Sequence, residues 1–369
     1  MLKYLYIDDE NGASETSTLH GFNDVQQICV ERFPLSDYRE FGKLKLELID
    51  RARNNSFNGL IIDLRLDGNG EDRTEFNATS LSQELRSVSA RNEIKSFPIV
   101  LCSTEEKIKQ TYNTDRTSHD LFDYKISKSN PTPNWKKLSN KLFCLANGYS
   151  WIGSGDRTVE QIFGIQAIDR LDPRIGERIN SFEAHYDYTH FIVKNLFHQT
   201  NPLINERILA ARLGIDLAKT STDSWVQLLN AFSEAKYTGL FSDGWYRWWA
   251  DVVNSIFFAM SSEKLAFLNA NQRVECLKKA TGIGDLIEAT PLKFCNSSEF
   301  WTICEGFKVP LDPLEGFKVA TSMELKSWQE SKYISLLAIL EREGFNDRGL
   351  RPHNSETERI EYTKELLGI

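Results

Sequence analysis

Four short apolar runs in the first 128 residues each stop at a residue that can do chemistry. Lys3-Tyr4-Leu5-Tyr6-Ile7 stops at Asp8-Asp9-Glu10, and Leu60-Ile61-Ile62 stops at Asp63. Phe97-Pro98-Ile99-Val100-Leu101-Cys102 stops at Ser103, and Tyr124-Lys125-Ile126-Ser127 stops at Lys128. Clustered carboxylates bind a hard cation such as Mg²⁺ through oxygen. A cation and a lysine together can neutralise a phosphoryl group while it transfers to a carboxylate nucleophile. A hydroxyl can then hydrogen-bond the phosphoryl oxygens. Any one of these residues alone reads better as a salt bridge or a cap at a strand end. The ordered set is what points to phosphoryl chemistry.

Something must bring the four ends together. Leu60-Ile61-Ile62, bounded by Gly59 and a polar loop, has the pattern of a strand buried on both faces, as in a parallel sheet. Open α/β sheets bind ligands beyond the carboxyl ends of their strands, so Asp63 is aimed at a crevice. Between the strands, residues 13–31 read as a helix with Phe22, Val25, Ile28 and Cys29 on one face. Leu44, Leu46, Leu48, Ile49 and Ala52 suggest a second helix, and Ser80 to Ser87 a third. Thr132-Pro133 offers a capping hydroxyl and a first-turn proline. The helix it opens carries Trp135, Leu138, Leu142 and Leu145 and is expected to end at Gly148. The loop Asp67-Gly68-Asn69-Gly70-Glu71-Asp72 invites a calcium reading, but Arg65 and Thr74 fall where an EF-hand started at Asp63 needs ligand oxygens, which excludes it.

With these residues in order, positions 1 to about 147 resemble the receiver domain of two-component response regulators. The resemblance implies a flavodoxin-like fold with a parallel five-stranded sheet. It implies that Asp63 is the phosphoacceptor, that Asp8 and Asp9 are the acidic pair, and that Ser103 and Lys128 contact the phosphoryl group. It further implies Mg²⁺ held by Asp8, Asp9, Asp63 and the backbone carbonyl of Arg65, with a histidine kinase or small phosphodonor as the source of phosphate. The chain departs from the family pattern at four places. Ser129 follows Lys128 where a cis-proline is usual, and Lys125 stands at the aromatic switch position with Tyr124 adjacent. Asp67 replaces a proline, and the Asp67 to Thr79 segment is long.

The 369 residues suffice for two domains, and 41% hydrophobic with 26% charged residues is ordinary for a soluble protein. A net charge of −8 argues against nucleic acid as a partner. The six cysteines lack CxxC spacing, as free thiols in a reducing cytoplasm do. The early Asp8-Asp9-Glu10 argues against a signal peptide. No apolar stretch reaches the ~18 residues of a membrane span. The expectation is a cytoplasmic protein.

Gly148 to Arg157 reads as a linker, and residues 158–369 as a mainly helical output or interaction domain. Apolar stripes run through Phe182, Tyr186, Ile192, Val193, Leu196 and Phe197, through Trp225, Leu228, Leu229 and Phe232, and from Trp245 through Trp248, Trp249, Val252, Val253, Ile256 and Phe257. Thr321-x-x-Glu324 is expected to open a long helix ending near Gly344, and Ser355-x-x-Glu358 the last helix, ending at Gly368. Glu305-Gly306-Phe307-Lys308-Val309 recurs once at Glu315 to Val319, which does not make a repeat protein. His185, His190 and His198 are not spaced for one helical face, which disfavours a metal site. Leu209-Ala210-Ala211-Arg212-Leu213-Gly214-Ile215 resembles the start of a helix-turn-helix, but Thr220 and Asp223 then fall where that motif needs apolar packing. From residue 150 on, 24 Lys+Arg face 30 Asp+Glu, a poor balance for phosphate contacts. No hydrolase, P-loop or zinc-protease signature appears. The leading expectation is an atypical response regulator with a protein partner for its helical domain. The alternative is a phosphorylation-independent adaptor of receiver fold in a bacterial multi-protein system such as phage defence. A hidden enzyme or DNA-binding function in the second domain comes last.

Overall fold

Val, Ile, Leu and Tyr dominate the first strands, and the backbone follows that preference for extended structure. The computed structural model describes all residues except 10–12, 68–72, 105, 107, 109–120, 131, 156–157, 165–170 and 322–323, and except the side chains of 13–15. Most of the Asp67-to-Asp72 loop and Glu10 therefore lie outside the described residues. The chain folds as two compact units. One comprises Met1–Asn195 with Thr238–Trp245, the other Leu196–Tyr237 with Tyr246–Ile369.

The first unit is built on five parallel strands: β1 (Leu2–Ile7), β2 (Ile28–Arg32), β3 (Gly59–Ile62), β4 (Ile99–Ser103) and β5 (Tyr124–Ser127). Their order, β2-β1-β3-β4-β5, is that of flavodoxin-like folds. Helices α1 (Ala13–Asp24), α2 (Phe41–Arg53), α3 (Ala78–Ala90) and α4 (Trp135–Ile152) accompany the sheet. Alternate residues of β1 serve opposite layers, as strand geometry requires. Leu5 and Ile7 join a core with Leu44, Leu48 and Ile49 of α2 and Leu81, Leu85 and Val88 of α3. Tyr4, on the other face, donates its hydroxyl to the Leu142 carbonyl of α4 at 2.6 Å.

Several boundaries differ from the sequence reading. The helix expected over 13–31 ends at Asp24, and its last residues are β2. Ile28 and Val30 are buried with Cys29 between them only half-buried, a period of two rather than 3.6. The Asn23 side chain fixes this strand by bonding both the Val30 N–H (2.8 Å) and the Val30 carbonyl (2.9 Å). Asn77, accepting from the Ser80 N–H, starts α3 earlier than expected. Asn134, accepting from the Lys137 N–H, caps α4 in place of Thr132. The same helix runs through Gly148 to Ile152, so the expected linker begins as helix. Gly148 is there for close approach, because a Cβ would lie 2.1 Å from Cε1 of Phe241. Beyond α4 the unit adds α5 (Val159–Phe163), α6 (Pro173–Asn180) and α7 (His185–Thr189), and α7 continues into a π-helix, His190–Phe197, whose last two residues are counted with the second unit.

A buried polar cluster joins these additions to the sheet. Arg86 of α3 donates to Asp123 Oδ2 (2.8 Å), to the Phe97 carbonyl (3.0 Å) and to the Tyr149 hydroxyl (3.1 Å). Tyr149 donates to Asp123 Oδ1 at 2.7 Å, and the Arg86 guanidinium lies 4.6 Å over the Tyr186 ring. His185 faces Ser96 at 3.0 Å.

The second unit contains α8 (Glu206–Leu213), α9 (Thr222–Ala231), α10 (Ala250–Ser261), α11 (Ala270–Thr281), α12 (Leu336–Leu340) and α13 (Thr357–Leu367). Three two-stranded antiparallel pairs accompany them: β6 (Leu203–Ile204) with β7 (Trp248–Trp249), β8 (Thr302–Ile303) with β9 (Pro310–Leu311), and β10 (Phe317–Lys318) with β11 (Tyr333–Ile334). The tryptophan stripe is thus split, with Trp248 and Trp249 in a strand and only the residues from Ala250 on in α10. The long helix expected after Thr321 does not form. β11 intervenes, and Ser335 caps the short α12. The last helix starts at Thr357 and does end at Gly368, whose φ of 69° is left-handed. Arg212, in the helix-turn-helix-like string, is 1% exposed and donates to both Glu330 carboxylate oxygens at 2.8 Å. Among the described residues no helix is long and apolar enough to cross a membrane.

Candidate metal centre

Strand register decides which residues meet. Ile7 pairs with Ile62, so the residues that follow, Asp8 and Asp63, emerge side by side. The Asp63 N–H still bonds the Ile7 carbonyl at 2.9 Å, holding Asp63 to the end of β1. Ser103 pairs with Ser127, and the Lys128 N–H bonds the Ser103 carbonyl at 2.9 Å. Four sequence-distant residues therefore share one edge of the sheet because four parallel strands stop at similar heights.

Asp8, Asp9 and Asp63 are each at most 1% exposed, and each offers a carboxylate oxygen within 4.8 Å of the others. Lys128 bridges two of them, with Nζ 2.5 Å from Asp8 Oδ2 and 2.9 Å from Asp63 Oδ1. Burial by itself would lower the amine's pKa, but the two carboxylates outweigh it and hold Lys128 above the ordinary lysine value. The Arg65 N–H donates to Asp63 Oδ2 at 2.9 Å, fixing the carboxylate's rotation from the loop side. Ser103 Oγ is buried and has no hydrogen-bond partner among the described residues. A buried hydroxyl without a partner costs free energy and is worth an explanation.

Three buried carboxylates meet beside one lysine. That donor set is all oxygen and suits a hard divalent cation such as Mg²⁺. The side chains anticipated from sequence, Asp8, Asp9, Asp63, Ser103 and Lys128, thus occupy one edge, and Arg65 meets Asp63 through its amide. Two neighbours were not anticipated. Tyr6 donates its hydroxyl to Asp8 Oδ2 at 2.8 Å, and Cys102 lies buried between Leu101 and Ser103, its thiol pushed up to about 12 mainly by burial. The signal for Tyr6 was its position two residues before Asp8, on the same face of the strand. Tyr124, beside the unusual Lys125, takes a hydrogen bond from Lys141 Nζ (2.8 Å) and meets the Trp245 ring edge-on at 5.9 Å.

Among the described residues, Asp8-Asp9-Asp63 is the group of three or more potential ligands close enough to share an ion. All six cysteines are free thiols. No protein-family model matches the chain, and no curated protein is significantly similar to it.

Proposed function

We propose that this edge of the sheet is a receiver-type phosphoacceptor, with Asp63 taking a phosphoryl group from a histidine kinase or a small phosphodonor. The observation that carries the reading is Lys128 set between Asp63 and Asp8, with Asp9 beside them and the Ser103 hydroxyl buried at the same edge. An Asp63 carboxylate oxygen attacks phosphorus and forms a new O–P bond. The donor's P–N bond in a phosphohistidine, or P–O bond in acetyl phosphate, breaks, and imidazole or acetate leaves with the electron pair. Mg²⁺ held by Asp8, Asp9, Asp63 and the Arg65 carbonyl would offset charge on the phosphoryl oxygens. Lys128, held against Asp8 and Asp63, would offset phosphoryl charge as well. Ser103 supplies a hydroxyl to a phosphoryl oxygen, which gives its unpartnered Oγ a use.

The sign of the Lys128 effect sets a pH expectation. Its folded-state pKa is raised, so its contribution is complete below the ordinary lysine value near ~10.4 and fades only as pH climbs through the higher folded value. Lys128 should therefore add no inflection to acceptance between about pH 6 and 9.

Phosphorylation adds about −1.5 to −2 charges in a buried place and biases a surface read by a protein partner. The test is intact-protein mass after incubation with Mg²⁺ and acetyl phosphate. One added phosphate on wild type and none on Asp63→Asn is the expected result. Absence of phosphate on wild type, with beryllofluoride also failing to bind, would overturn the reading. The adaptor alternative then takes over. It is favoured by Tyr124, which Lys141 and Trp245 hold in place where a mobile aromatic would otherwise report the state of β5.

A further inference from the structure

The phosphoacceptor reading gives Tyr6 nothing to do, yet its side chain is built into the acidic edge. Tyr6 is fully buried, on the face of β1 opposite Leu5 and Ile7. An apolar residue would pack there at no polar cost. A buried phenol instead needs a hydrogen-bond partner. Asp8, two residues on and on the same face, is that partner, with the hydroxyl 2.8 Å from Oδ2. Lys128 Nζ reaches the same oxygen at 2.5 Å and stands 5.8 Å over the Tyr6 ring.

A carboxylate oxygen accepts about two hydrogen bonds, one at each lone pair. On Asp8 Oδ2 the Tyr6 hydroxyl takes one and the Lys128 ammonium the other. The two donors fix how the carboxylate is turned and leave a cation to meet Asp8 through its other oxygen alone. Mg²⁺ takes about six ligands in a near-octahedral shell, whereas Ca²⁺ takes about six to eight and accepts both oxygens of one carboxylate. Restricting Asp8 to one oxygen therefore disfavours the larger shell.

We infer that Tyr6 is a positioning residue that holds Asp8 as a one-oxygen ligand and so sets the centre's preference for Mg²⁺ over Ca²⁺. The inference rests on the phosphoacceptor reading, which brings the cation to this edge. The test is titration calorimetry of the full-length chain with Mg²⁺ and with Ca²⁺, without any phosphodonor. Tyr6→Phe keeps the ring and removes the hydroxyl. It should weaken Mg²⁺ binding about tenfold or more, the usual result of losing a ligand's supporting partner. Ca²⁺ binding should fall by about fivefold less, because Asp8 can then offer it a second oxygen. Tyr4→Phe is the control, since Tyr4 is equally buried but donates to the Leu142 carbonyl, and it should leave both ions unchanged. Thermal melts keep a folding defect from passing as lost binding. If the Phe variant does not fold, Tyr6→Met, apolar and flexible enough to fill the space, replaces it. The inference alone is overturned if a folded variant without the hydroxyl binds Mg²⁺ as wild type does, or loses both ions by the same factor. If wild type binds no Mg²⁺ and takes no phosphate, the phosphoacceptor reading fails and the inference falls with it.

Discussion

Ser103 and Lys128 should respond to removal in opposite ways. Ser103 Oγ is buried without a hydrogen-bond partner among the described residues, so Ser103→Ala gives up nothing in the resting fold. Denaturant melts should find it neutral or stabilised by up to about 1 kcal/mol, while its phosphoryl acceptance slows. Lys128→Met instead removes the ammonium set between the buried Asp8 and Asp63 carboxylates. Breaking one side of such an arrangement typically costs about 3–5 kcal/mol. Because a divalent cation can take over the lost positive charge, the variant's melting temperature should rise with Mg²⁺ much more steeply than wild type's. Equal Mg²⁺ responses would mean the carboxylates do not hold the ion. At this scale the sequence was most legible. Asp8, Asp9, Asp63, Ser103 and Lys128 each follow an apolar run, and a charged or polar residue after a buried strand has few places to go. Tyr6 escaped because an aromatic inside a strand reads first as core. Arg86 and Asp123 escaped because an ion pair 37 residues apart in sequence leaves no local period.

Among the elements, α4 carries the clearest example of one residue type with two readings. Gly148 looked like a helix stop, since glycine often follows the last turn. It is instead a notch for the Phe241 ring, in a segment where Phe241 itself has a left-handed φ of 66°. Gly148→Ala should raise helix propensity by roughly 1 kcal/mol yet lower stability, because overpacking costs about 1–3 kcal/mol. Adding Phe241→Ala should remove the clash, so a double-mutant cycle should show favourable coupling between the two changes. Additive effects would place the ring elsewhere. β2 was lost for a related reason. Phe22 and Val25 start a helical spacing that Ile28 and Cys29 happen to continue, and only pairing with β1 selects the strand. Tertiary partners overrode a local pattern in both places. The opposite error occurred at Thr321, where a capping-box spacing had no helix to cap.

For the whole molecule, composition bounded much and located little. It made two cores reasonable but could not reveal that the chain leaves the first unit after Asn195, returns at Thr238 and leaves again after Trp245. A boundary near residue 147 follows from the sequence because the sheet and its helices are complete there by count. The packing is not complete there, because Tyr149 closes the Arg86–Asp123 cluster and Phe241 fills the notch at Gly148. A fragment of residues 1–147 should accordingly melt well below the full chain or fail to show a cooperative transition by circular dichroism. Extending it to residue 195 should restore the buried cluster but leave the Gly148 notch empty.

That returning segment also sets an order of events during synthesis. Domains generally fold as units as the ribosome delivers them, at about 5–20 residues per second. Here the sheet and its acidic edge are made early, but the piece that seats on α4 is delivered only after Leu196–Tyr237 has emerged. The first unit must wait, with part of its surface uncovered, for a stretch of the second to be translated. A chain built this way cannot exchange its later unit for another as a simple cassette, since doing so would also remove the piece that finishes the earlier one.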